Sequence, residues 1–76
     1  MNLKKMRLAI EKTEDGQQGV LILHIEPNGH LVVQFDIEEV ENETVSEAHA
    51  RVEAEARQIL RLAAQTEFSW GTSKRA

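Results

Sequence analysis

There is no cysteine among the 76 residues of this chain, so it can build neither a disulfide framework nor a thiolate metal cage, and nothing in it asks for an oxidising compartment. Aromatic residues are nearly as scarce, with two Phe, one Trp and no Tyr. Long apolar runs are missing too: the opening Met-Asn-Leu-Lys-Lys-Met-Arg carries the charge of a signal n-region, but Leu8-Ala9-Ile10 is followed at once by Glu11. No segment approaches the ~20 residues of a membrane span. Positive charge is in short supply, nine Lys and Arg against thirteen Asp and Glu for a net charge of −4, which disfavours non-specific binding to nucleic acid. These absences lead to the expectation of a cytoplasmic protein with no membrane association, no cofactor and no metal.

What is present is organised around Gly19-Val-Leu-Ile-Leu-His-Ile-Glu26, the one run dense enough in aliphatic and β-branched residues to be a strand apolar on both faces, hence central in a sheet. Before it, Met6, Leu8 and Ile10 alternate with Lys5, Arg7, Ala9 and Glu11, the period of a half-buried edge strand. Asp15-Gly16 is a type I′ hairpin signal, and pairing Glu14 with Gln17 around it sets Ile10 opposite Leu21, Leu8 opposite Leu23 and Met6 opposite Ile25. A two-residue turn at Asn28-Gly29 would set the apolar face of one strand against the wrong face of the next. A three-residue loop, Pro27-Asn28-Gly29, instead pairs Ile25 with Leu31, Leu23 with Val33 and Leu21 with Phe35. Both turns then agree on one inner face: Met6, Leu8, Ile10, Leu21, Leu23, Ile25, Leu31, Val33, Phe35 and Ile37.

From Asp36 to Glu47 there are six acids and no Lys or Arg. Thr44-Val45-Ser46-Glu47 reads as a capping box, which accounts for some of that charge at a helix start. From there to about Gln65, Val45, Ala48, Val52, Ala56, Ile59, Leu60 and Ala63 recur at steps of three and four, a stripe to cover the sheet, while Glu47 with Arg51 and Glu53 with Arg57 form i,i+4 pairs behind it. At about 33 Å such a helix exceeds a seven-residue strand of roughly 23 Å and should overhang the sheet. Phe68 and Trp70 in the tail are free to fold back over a core edge, to add a short strand, or to stand exposed as anchors. The expected fold is α+β, a three-stranded antiparallel meander with one long C-terminal helix on one face (βββα). It forms a single domain over residues 1–76, with its ordered core from about 3 to 68 and a frayed tail at 72–76. A domain of this size buries only about 60% of the surface its unfolded chain exposes, so a partner subunit would help it.

Three surfaces are candidates for function. The acidic run Asp36, Glu38, Glu39, Glu41 and Glu43 would steer the protein to a basic groove such as one that normally receives nucleic acid. The outer sheet face gathers Ala9, Val20, Ile22 and Val32 inside a polar rim, the anatomy of an interface, with homodimerisation its simplest use and Phe68 and Trp70 as further anchors. Pairing of the Leu31 to Ile37 edge with another strand competes with it. The cations Lys4, Lys5, Arg7, Lys12, Arg57, Arg61, Lys74 and Arg75 are scattered, which ranks nucleic-acid binding last. His24, Glu26 and His30 share the outer face, with Glu26 expected opposite His30, but match no established ligand spacing and have no evident fourth ligand, and His49 sits at the margin of the helix stripe. Gly16, Gly19 and Gly29 are taken up by turns rather than by a phosphate loop, and no nucleophile context is evident, so catalysis is not expected. In size, acidity and lack of cysteine the chain resembles small phage-encoded inhibitors of host defence, including anti-CRISPR proteins, and its sheet-then-helix order is similar to that of small toxin–antitoxin and regulatory modules. The resemblance implies a non-enzymatic inhibitor that blocks a basic, nucleic-acid-handling protein. A homodimeric structural or regulatory module is the alternative.

Overall fold

A computed structural model of the chain describes residues 1–71; the tail expected at 72–76 lies outside them. Three strands, β1 (Asn2–Thr13), β2 (Gly16–Glu26) and β3 (Gly29–Ile37), form an open antiparallel sheet in the order β1-β2-β3, followed by one helix, α1 (Val45–Gln65), packed on the sheet. This is the expected βββα arrangement, with Gly19 to Glu26 in the central strand.

The registers differ from expectation by two residues at both ladders. β1 pairs Thr13 with Gly16, Leu8 with Leu21 and Met6 with Leu23, so the turn residues are Glu14 and Asp15 and Gly16 follows them with a positive φ of 153°. β3 pairs Leu31 with Leu23, Val33 with Leu21 and Phe35 with Gly19. The loop is therefore Glu26-Pro27-Asn28, with a cis Glu26–Pro27 bond, and Gly29 stands in the ladder opposite Ile25 rather than in the loop. A slip of two leaves every side chain on its expected face, because side chains alternate with period two. The packing of one glycine favours the observed alignment. It places Gly19 between Ile10 and Phe35, and the Phe35 ring lies over the glycine, its tip atoms 2.5 to 2.9 Å from where a Cβ would stand. In the expected alignment Ile10 and Phe35 would both face Leu21, and the glycine gap would be unused.

The ten expected inner-face residues share that face, and an eleventh joins them. The β1–β2 register shifts between Leu3 and Lys5, so Lys4 is the extra residue of a bulge and Leu3 comes opposite Ile25 on the apolar side. The helix covers only part of this face. The buried apolar residues are Leu21 and Ile37 of this face with Val52 and Ala56 of the helix, and Val20 on the outer face. Val52 lines a cleft with Leu8 and Ile10 of β1, and Ile59 lines another with Phe35 of β3. The helix thus crosses the end of the sheet that holds Ile10, Gly19 and Phe35, and residues 61–65 beyond Ile59 are all exposed. At the other end Leu3, Met6, Leu8 and Leu31 stay 36–51% exposed. β1 is wet on both faces apart from Ile10, not on one as expected.

Candidate functional site

The loop between β3 and α1 is built by its own side chains. Thr44 caps the helix: its Oγ1 accepts from the Glu47 N–H at 3.1 Å while Glu47 Oε1 accepts from the Thr44 N–H at 3.0 Å, the reciprocal pair the sequence signals. These hydrogen bonds from Thr44 hold the Glu47 carboxyl below the usual carboxylate range. Glu47 is thereby engaged at the cap, and the expected Glu47–Arg51 pair does not form. Arg51 reaches back instead, its Nε 2.8 Å from Glu43 Oε2 and its Nη2 3.0 Å from Glu43 Oε1, with Nη2 also donating to the Glu38 carbonyl at 2.8 Å. One guanidinium fork therefore ties both ends of the loop to the helix, a geometry only Arg supplies. The Arg51 hydrogen bonds depress the Glu43 pKa, and Glu43 raises that of Arg51 in return. Asn42, at φ 62°, takes the left-handed conformation that closes the loop, which Asn tolerates better than most residues.

The five expected acids do not form one surface. Glu43 is neutralised and largely covered by Arg51, and Asp36 sits on the outer sheet face opposite Gln18. Glu38, Glu39 and Glu41 are exposed on the anchored loop, with no ion-pair partner among the described residues. A recess of about 270 Å³ opens here between loop and helix, lined by Glu39, Val40, Glu41, Val45, Ala48 and Arg51 among others. Val40 and Val45 are 49% and 73% exposed, so apolar surface and free carboxylates stand side by side. The valines escaped the sequence reading because Val45 belongs to the helix stripe and Val40 to no period.

The outer face brings Ala9, Val20, Ile22 and Val32 together as expected, on the side away from α1, but Val20 is buried and Ile22 half-buried, so the apolar area offered is mostly Val32. Phe68 and Trp70 cover neither a core edge nor this face and add no strand; they are 87% and 89% exposed, with ring centroids 6.1 Å apart. His24 pairs directly with His30 across the β2–β3 ladder, ring centroids 6.0 Å apart, and Glu26 faces Asn2 instead of His30, a correction that follows from the register. Among the described residues no three His, Asp or Glu side chains converge as metal ligands would. His49 lines the cleft with Leu8, Ile10 and Val52, at the stripe margin as expected. Of the cations, Lys4, Lys5, Arg7 and Lys12 lie on β1, Arg57 pairs with Glu53 at 3.3 Å, Arg61 donates to Gln58, and Lys74 and Arg75 fall outside the described residues. No described helix is long and apolar enough to cross a membrane.

No family model, no curated protein and no solved structure matches the chain.

Proposed function

We propose that this chain is a non-catalytic protein-binding module whose β3–α1 loop engages a basic partner, blocking a surface that would otherwise handle nucleic acid. The observation that carries this reading is the recess on the anchored loop, where Glu39 and Glu41 flank the exposed Val40 and Val45. That combination suits a Lys or Arg side chain, whose aliphatic stem lies on apolar surface while its charged head meets carboxylates. Because Arg51 and the capping box already hold the loop, little ordering cost is left to the binding step. The acids also raise the association rate with a positively charged surface.

The test is affinity capture from cell extract with the wild-type chain and two variants: Glu38→Lys, Glu39→Lys and Glu41→Lys combined, and Val40→Asp alone. The expected result is a partner held at low salt, released by added DNA or RNA, and lost from both variants. Capture by the triple variant at low salt equal to that of the wild type overturns the reading. A second reading, a self-associating structural or regulatory module, is favoured by a different observation: Leu3, Met6 and Leu31 on the inner sheet face stay 42–51% exposed.

A further inference from the structure

A folded monomer of 8.6 kDa is expected to expose about 4,700 Å², so 6803 Å² is roughly 2,000 Å² too much. The radius of gyration, 15.3 Å, likewise exceeds the ~11 Å of a compact chain of this length. Part of that excess is the tail after α1, where Phe68 and Trp70 are 87% and 89% exposed, and part lies on the sheet, where Leu3, Met6, Leu8 and Leu31 are 36–51% exposed. Obligate dimers bury roughly 2,000–5,000 Å² in total, about 1,000–2,500 Å² from each protomer, so the sheet's share is of the size that assembly removes.

Two pieces of that surface are complementary and lie on the same side of the sheet. One is the uncovered half of the inner face, Leu3, Met6, Leu23, Ile25 and Leu31, with Leu8 at its boundary beside Val52. The other is the last stretch of α1, where Leu62 is 52% exposed and the stripe residue Ala63 covers nothing. They cannot meet within one chain, because α1 crosses the opposite end of the strands and runs from the β1 side at Val52 to the β3 side at Ile59. The two sheet edges also differ. β1 carries Lys4, Lys5, Arg7, Glu11 and Lys12 together with a bulge, the devices that keep an edge from pairing. β3 has one charged residue, Asp36 near its end, no bulge, and an exposed Leu31-Val32.

We propose that the chain assembles as a twofold dimer through antiparallel pairing of β3 with β3 of a second copy, each α1 terminus covering the partner's open inner face. The antiparallel arrangement is what makes the surfaces fit. It sets the Phe35 end of one β3 beside the Leu31 end of the other, and so carries the α1 overhang of each protomer over the apolar half that the other leaves bare. Any strand pairing about a twofold axis joins residues of equal parity, so both inner faces stay on one side of a continuous six-stranded sheet.

The absence of cysteine allows a direct test on the full chain. Single Cys substitutions at Leu31, Val32, Val33, Gln34 and Phe35 are oxidised and compared with Ile22→Cys on the outer face and Arg7→Cys on β1. Residues facing each other across an antiparallel ladder stand within disulfide range, so one position near Val33 should cross-link efficiently while the two controls should not. Light scattering of the wild type should give twice the chain mass, and Leu62→Glu should shift it toward the monomer. A wild-type monomer throughout the micromolar range overturns the proposal, as does a dimer that cross-links through Ile22→Cys instead. Should Leu62→Glu fail to fold, the cross-linking series still decides. The acidic loop is tested on other residues and by another measurement, so either reading can fail alone.

Discussion

Gly19 holds the place where two registers and one ring are reconciled. Its backbone has no positive φ, so a side chain is excluded there by the Phe35 ring and not by conformation. Gly19→Ala should therefore destabilise the fold by about 1–3 kcal/mol, the usual result of overpacking, although alanine is a better strand residue than glycine elsewhere. The check is chemical denaturation of Gly19→Ala in the wild-type and Phe35→Leu backgrounds. The cost should shrink once the ring tip is gone, and an equal cost in both would place the strain elsewhere. Arg51 is the second decisive residue, because the choice of Glu43 over Glu47 follows from Glu47 being committed to the Thr44 cap. Spacing alone cannot see that competition.

The helix start is the element where charge and structure are coupled. Glu43 and Glu47 both have depressed pKa values in the folded protein, so each contributes stability that is fully present above the ordinary carboxylate range and is lost as pH falls through its lowered folded value. Acidification should therefore loosen the β3–α1 loop and the first helical turn before the rest of the fold. Urea midpoints followed from neutral pH to below about pH 4 should fall, and the Glu43→Gln, Glu47→Gln double variant should start lower and change less over that range. A double variant that tracks the wild type would remove both carboxylates from the account. The strands tell a different story as elements: their two edges are dissimilar, and the charged, bulged β1 leaves β3 as the edge able to pair.

For the whole molecule the governing fact is that one helix cannot cover a sheet whose strands are nine to twelve residues long. α1 lies across one end, five apolar residues are buried among the described residues, and the remaining half of the inner face is open. If a second copy closes it, folding and assembly are linked, and the melting temperature should rise with protein concentration over roughly a hundredfold range. Differential scanning calorimetry checks this, and a melting temperature independent of concentration would mean the protomer is stable unaided. The dimer would also carry two acidic loops, adding a second site for any partner with repeated basic surface.

The order of elements, the central strand, the capping box and the assignment of ten residues to the inner face were legible from local patterning, because alternation, helical spacing and cap chemistry act over a few residues. The candidate site was only partly legible: Glu38, Glu39 and Glu41 lie free as expected, while Glu43 is claimed by Arg51 and Val40 and Val45 join them. Registers differing by two residues satisfy the same alternation, so the fit of Phe35 over Gly19 chose between them, and the bulge at Lys4 brought Leu3 inside. Where α1 would lie on the sheet is likewise a question of packing between segments distant in sequence. Patterning determined which side chains are apolar and face together; tertiary structure decided how many of them one chain can cover, since that depends on the direction in which the helix crosses.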